Sequence, residues 1–549
     1  MLPCREKVLA WTNRLMQIES IVNTEGEKII ARKIFGWLSD LPYYKKHPTH
    51  LILQRTTDDN LERYNVFALV KGKKRKSGRT VILMGHTDTV GTDDFNRLKS
   101  YACDPEKLME ALQEEPLLDQ AKNHLQSGGW LFGRGILDMK SGLASHLFLI
   151  QYYAEHPKEL AGNLLLLAEC DEEDGSHGVL SALDTFQKLK EEHGLAYIAA
   201  INADFVAPRF EGDENRYIYK GTIGKLLPSF YITGAETHVG ACFEGLDPNL
   251  IAAELTKRID YNPELCNRAF GETTMPPVSL KQTDLKPSYT VQTALASYVY
   301  YNFFSYSWSP KEVLEKLKKV AAEAFEAALA TFENRKRRFA EMSGECFGKT
   351  SWKPRVLLYE EMENILIAEH GSAFTRHMED FKGWLLRNKE LDTRMFAAKA
   401  VEEAWKWMAD KSPAIIVFYS SLYSPRVELP GKNEKERALL KALDEAVAAV
   451  QPHYPHPIVT RNFFPYISDM SFVAISDSAE EIDAMAKNNP AWGTKLCVDY
   501  EKIRALNVPV INIGPYGMDA HKKLERMEMH YSLEIVPNLT NEVILNLLV

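Results

Sequence analysis

Short apolar runs that end in glycine- and acid-rich turns mark both ends of the chain. Runs near 51, 66, 81–84, 163–169, 196–203, 414–419 and 508–513 read as buried strands. Between them, apolar residues at helical spacing predict helices over 5–20, 25–41, 140–156, 180–192 and 434–450, and a short closing helix over 541–549. This alternation predicts an α/β domain with a mostly parallel sheet covered by helices. The middle of the chain has a different rhythm. Alternating strands are expected over 216–220, 225–233 and 289–305, with a helix over 247–259 and a long helix capped at Ser309 with Pro310 in its first turn. Helical patterns then continue over 360–388 and 394–409, whereas 93–129 is polar and irregular and reads as a loop insertion with a short helix.

At 549 residues, with 45% apolar and 26% charged positions, the chain is too long for one core, so more than one domain is expected. The net charge of -9 and a single basic tract, KGKKRK at 71–76, argue against nucleic acid, and the tract reads as a solvated loop. No apolar run is long enough for a bilayer span, so no membrane association is expected. Seven scattered cysteines without CxxC pairs, together with an amphipathic first helix, suit reduced thiols and a cytoplasmic chain. A metal would therefore be held by histidine and carboxylate.

Four strand ends carry candidate chemistry. VILMGHTDTV (81–90) presents His86 and Asp88 two apart, GRGILDMKSG (133–142) presents Asp138 ahead of a helix, LLLLAECDEEDGSHG (164–178) runs into Glu172 and Glu173, and IAAINADFVAP (198–208) ends at Asp204. Taken singly, each has a plainer use: a satisfied structural histidine, a helix cap, a solvated acidic loop, a turn ahead of Pro208. Together they would bring several carboxylates to one crevice with no neutralising cation close in sequence, an arrangement that opposes joint ionisation unless a metal is bound. Imidazole with carboxylate suits zinc, with cobalt or manganese as substitutes, and a bridging carboxylate can hold two ions.

These motifs, in this order, resemble the di-zinc metallopeptidases and amidohydrolases that include aminoacylase, carboxypeptidase G, peptidase T and succinyl-diaminopimelate desuccinylase. The later segment IGPYGMDAHKKLERM (513–527) resembles that family's closing histidine motif. The resemblance implies that His86 and Asp204 bind one metal, that Glu173 and His521 bind the other, and that Asp138 bridges them. It also implies that Glu172 is the general base, that Asp88 orients His86 through its second ring nitrogen, and that the Asp138-Met139 peptide bond is cis. TGAETHVGACFEGLDPN (233–249) resembles the family's lid, from which His238 would reach the substrate. Asp469, in NFFPYISDMSFV, would orient a site loop or, as is commoner, cap a helix. Glu525 would share a face with His521 if a helix begins there. Residues 340–411 are extra relative to ordinary members, and the lid's usual arginine for a substrate carboxylate is not identifiable; this long lid resembles a RocB-like arginine-utilisation branch.

The expected architecture is a catalytic domain in two parts, 1–211 and 413–549, around an inserted α+β lid at 212–412 enlarged by extra helices. The expected activity is hydrolysis of an amide bond in a small peptide or N-acyl amino acid by a metal-activated water, with a place in amino-acid catabolism. Hydrolysis of another C–N bond, as in a guanidino compound, and a non-catalytic metal-stabilised scaffold remain alternatives. Assembly is expected as a homodimer, or as a monomer whose enlarged lid replaces the partner.

Overall fold

A computed structural model describes residues 1–57, 59–348 and 350–549. The chain divides into two compact units, one formed by 1–222, 427–475 and 500–549, the other by 223–426 and 476–499.

The first unit is built on an eight-stranded sheet. Its strands are Leu51–Arg55 (β1), Tyr64–Lys71 (β2), Arg79–His86 (β3), Asn163–Glu169 (β4), Ala196–Asn202 (β5), Arg216–Tyr219 (β6), Ile458–Arg461 (β7) and Val510–Asn512 (β8), in the order β1-β2-β4-β3-β5-β8-β6-β7. β4, β3, β5 and β8 run parallel, and β1 and β2 are antiparallel additions at one edge. Every residue of β4 is buried and only the first of β3 is exposed, which explains continuous apolar runs in place of alternation. Helix Ser141–Glu155 lies against the sheet and packs with Arg5–Met16 and Val536–Leu548. All four central strands therefore end on the same side of the sheet.

The region 93–129 is more ordered than its polarity suggests. It forms a run of 3-10 turns and the helices Pro105–Leu112 and Asp119–Gln126, held by a small core of Phe95, Leu98, Leu108, Leu112, Leu125 and Phe132. Those apolar residues are too widely spaced to stand out against the surrounding charge. Beside it, Trp130–Phe132, Arg526–Glu528 and Gly517–Met518 form a three-stranded antiparallel sheet between segments almost four hundred residues apart.

The second unit carries a six-stranded sheet. Val278–Asp284, Ala296–Ser305, Pro228–Thr233, Ala414–Tyr419 and Val356–Leu358 lie side by side in that order, and Gly224–Leu226 pairs with the end of Ala296–Ser305. Helices Pro248–Ile259 and Pro310–Ser343 pack together and against this sheet. The long helix begins with a reciprocal capping box, Ser309 accepting from the Glu312 amide and Glu312 from the Ser309 amide. The extra segment supplies three helices. The stretch expected as one helix over 360–388 is two, Tyr359–His370 and Ser372–Leu385, because Gly371 takes a positive φ of 57° between them. With Thr393–Trp405 they share a core with Tyr231, Tyr298, Ala414, Ile416 and Phe418. In Ala414–Tyr419 these residues alternate with Ile415 and Val417, also buried, so the sheet is covered on both faces.

Because the extra helices bury one whole sheet face, replacing 359–405 by a short linker is expected to expose it. The deletion protein should bind an apolar dye and associate with concentration in sedimentation. A monodisperse deletion protein with the melting temperature of the full chain would contradict this packing account.

Candidate metal centre

His86 ends β3, Glu172 and Glu173 follow β4 by three and four residues, Asp204 follows β5 by two, and His521 follows β8 beyond the short strand Gly517–Met518. Brought to one side by the parallel strands, these side chains occupy the place where open α/β sheets hold ligands. Asp138 arrives separately, in the turn between Trp130–Phe132 and helix Ser141–Glu155, and the Asp138-Met139 peptide is cis. Two glycines permit the approach. A Cβ on Gly142 would lie 2.0 Å from the Ala203 carbonyl oxygen, and one on Gly514 would lie 1.8 Å from that of Asp204.

Asp138 is the centre of the cluster. Its Oδ1 lies 3.0 Å from His86 Nε2 and its Oδ2 lies 2.9 Å from His521 Nε2, so its two oxygens face different histidines. His521 Nε2 also lies 3.0 Å from Glu173 Oε1, and His86 Nε2 lies 4.0 Å from Glu172 Oε2. His86, Asp138 and Glu173 offer ligand atoms within 4.8 Å of one another. Asp204 is buried, accepts from the Phe205 amide at 2.8 Å, and lies within electrostatic range of Asp138 and Glu173. The donor set is imidazole and carboxylate in a compact group, which fits a divalent cation.

The electrostatics point the same way. Burial, reinforced by Asp204 and Glu173 and opposed by His86, pushes the Glu172 carboxyl well above the ordinary range. Burial and Asp138 do the same to Asp204. For Asp138, burial is outweighed by hydrogen bonds from His521 and His86, which hold its carboxyl below that range. Burial opposes the His521 imidazolium, yet Asp138 and Glu173 raise it to about 11. Without a metal, the positive charge that favours ionised carboxylates here comes from the two imidazoles, both pushed toward the charged form.

Three further residues lie around the cluster. Asp88 meets the second ring nitrogen of His86 chiefly through its main chain: His86 Nδ1 lies 3.0 Å from the Asp88 main-chain oxygen and 3.7 Å from Oδ1. The Asp88 carboxylate accepts instead from the Glu172 amide at 3.3 Å and the Glu173 amide at 3.1 Å, so it holds the acidic loop. Glu525 sits on no helix, since 519–525 is a turn leading into Arg526–Glu528. Its Oε1 accepts from the amides of Gly135, Leu137 and Asp138 at 2.8, 3.1 and 3.3 Å, and Arg134 donates to its Oε2 at 2.8 Å. Glu525 thereby shapes the turn that carries Asp138. Asp469 is buried at the start of a 3-10 turn capped by Ser468, and burial raises its carboxyl to about 7.

His238 belongs to the second unit. It is exposed, its loop pairs with the segment at Gln292, and its Nδ1 accepts from the Gly240 amide at 3.0 Å. Phe243 of the same loop packs on Phe332, Phe339 and Phe347 at 5.9, 5.4 and 5.2 Å, so the extra segment touches this loop through Phe347.

Sequence reasoning missed Tyr466, whose ring stacks on Phe205 at 5.1 Å. Burial raises its hydroxyl pKa, with Arg209 opposing and Asp138 and Asp204 adding. It also missed Asn512, which bonds the Asp204 backbone from both sides, accepting from its amide at 2.9 Å and donating to its carbonyl at 2.7 Å. Neither sits in a chemically suggestive spacing.

A crevice at the carboxyl ends of parallel strands, lined by two histidines and a group of acids, defines an α/β protein with a candidate site for a divalent cation. Comparison with known proteins gives the family. The pattern of peptidase family M20/M25/M40 matches residues 82–485. Protein RocB of Bacillus subtilis is 35% identical over 543 residues, covering 99% of this chain and 95% of its own. A succinyl-diaminopimelate desuccinylase of Polynucleobacter necessarius is 23% identical over 269 residues, covering 48% of this chain and 63% of its own. The M20 family metallo-carboxypeptidase Sso-CP2 from Sulfolobus solfataricus shares the fold with a TM-score of 0.52 at 13% identity, covering 99% of this chain and all of that one. The chain belongs to peptidase family M20/M25/M40 and is a hydrolytic enzyme of the peptidase and amidohydrolase kind. Among the described residues, no helix is long and apolar enough to cross a membrane.

Because Glu172 and Asp204 hold protons more tightly than ordinary carboxyls, a divalent cation binding here must expel protons. Calorimetric titration of the metal-free chain with zinc, in buffers of different ionisation enthalpy, is expected to show net proton release and an affinity that rises with pH. Binding without proton release would contradict the arrangement.

Proposed function

We propose that the chain hydrolyses an amide bond of a small peptide or N-acyl amino acid with the help of two divalent ions, zinc being the best fit to the donors. The observation that carries this reading is Asp138, whose two oxygens face His86 at 3.0 Å and His521 at 2.9 Å, as a bridging carboxylate would. His86 and Asp204 would hold one ion, Glu173 and His521 the other, with Asp138 shared. Such ions would polarise the scissile carbonyl and acidify the attacking water.

The chain's own groups do the rest. Glu172, whose Oε2 lies 4.0 Å from His86 Nε2, accepts the proton of the attacking water and delivers it to the leaving nitrogen. Asp88 fixes the amides of both glutamates, so that one carboxylate ligates while its neighbour faces the water. In the neutral imidazole of His238, Nδ1 is the acceptor for the Gly240 amide, so the ring proton lies on Nε2. This tautomer leaves an outward donor for the developing oxyanion. The reading includes a cytoplasmic place in amino-acid catabolism, arginine use included. It also includes function either as a lid-paired homodimer or as a monomer whose enlarged lid takes the partner's role.

Glu172→Gln is expected to bind the same amount of zinc and to lower kcat by about 10²-fold or more on whichever dipeptide or N-acyl amino acid the wild type cleaves best. Metal analysis beside steady-state kinetics checks this, and a variant that retains full turnover would sink the assignment of the base.

A further inference from the structure

The acidic loop is gripped on its far side by an arginine that stands more than a hundred positions away. Asp171, the residue before Glu172, adopts a positive φ of 66° and is fully buried. Aspartate is among the non-glycine residues that adopt this conformation, and here several bonds hold it there. Its Oδ1 accepts from Arg63 Nη1 at 2.5 Å, and its Oδ2 accepts from the His177 amide at 3.1 Å and lies 2.5 Å from His177 Nδ1. The Asp171 carbonyl accepts from the Ser176 amide at 2.6 Å and closes the loop on itself.

Arg63 is buried, and its guanidinium reaches three elements at once. It pairs with Asp59 in its own turn through Nε at 2.9 Å and Nη2 at 3.2 Å, with Glu27 of helix Glu25–Ser39 at 3.3 Å, and with Asp171. Asn23 extends the grip, donating to Asp174 at 3.0 Å while its amide donates to Glu27 at 2.7 Å. The planar fork of arginine suits this divergent set, whereas lysine offers the charge without the fork. Asp88 holds the Glu172 and Glu173 amides from the opposite side. The loop is thus clamped between a carboxylate within the crevice and a guanidinium outside it.

We propose that Arg63 is a positioning residue for catalysis: through Asp171 it fixes the backbone from which Glu172 reaches the attacking water, an inference that rests on Glu172 being the base. The test uses the full chain loaded with zinc and Arg63→Lys, which retains a cation for the buried acids so that the fold survives. Melting temperature and bound zinc are expected to stay close to wild type. Hydrogen exchange at the Ser176 and His177 amides, both bonded to Asp171, should quicken by about tenfold or more, with β4 unaffected. On the best substrate from a dipeptide and N-acyl amino acid panel, kcat should fall by about tenfold or more with KM within about threefold, as for loss of a transition-state contact. In a Glu172→Gln background the same substitution should cost almost nothing further, since the two residues act as a unit. Unchanged loop exchange, or an equal kcat loss in both backgrounds, would overturn the proposal. If Glu172→Gln turns over like wild type, the assignment of the base falls and the catalytic role of Arg63 with it, while the exchange result still decides whether Arg63 holds the loop.

Discussion

Mutual repulsion among carboxylates in a buried crevice is the constraint on which the rest of this molecule depends. Asp88, Asp138, Glu172, Glu173 and Asp204 converge where the sheet ends, and little solvent reaches them. In such a medium like charges cannot all ionise without a compensating cation. His86 and His521 supply part of that compensation in the metal-free chain, which is why both imidazoles are pushed toward the charged form.

Much of the first unit serves to hold this unfavourable group in place. Parallel β3, β4, β5 and β8 deliver their ends to one side, the small sheet of Trp130–Phe132, Arg526–Glu528 and Gly517–Met518 joins the Asp138 and His521 segments, and Glu525 knots the Asp138 turn with three amides. Two opposed anchors, Asp88 and Arg63, hold the acidic loop. Each anchor exchanges solvent for a buried, charge-assisted hydrogen bond, so removal of one partner leaves the other stranded. In the second unit, the extra helices complete a sheet with a face to bury, and Phe347 of the same segment packs on the loop of His238.

The elements legible in the sequence are those with a local signature. Buried strands that lead into His86, Glu172 and Asp204 announce themselves because the apolar run stops just before or at the chemistry, and Ser309 with Pro310 marks the start of its helix to the residue. The family's motif order brought Asp138 and His521 into the same picture. What escaped depends on contacts between distant segments. Arg63 and Asp171 are 108 positions apart, and Asn512 and Asp204 are 308 apart, so no spacing rule reaches them. The contact of Asp88 with the second ring nitrogen of His86 was legible, but not the group that makes it: a residue two beyond a histidine can turn either its carboxylate or its backbone carbonyl to the ring, and here the carbonyl lies nearer. Region 93–129 hid a core of its own because its apolar residues are diluted by charge.

The central claim is that this acidic crevice is a two-ion site bridged by Asp138. Anomalous diffraction at the zinc edge, from crystals of the full chain grown with zinc, tests it most directly. Two peaks about 3.5–4 Å apart are expected, both within bonding distance of Asp138, one beside His86 and Asp204 and the other beside Glu173 and His521. Zinc bound elsewhere with this crevice empty, or ions that leave Asp138 uncoordinated, would contradict it.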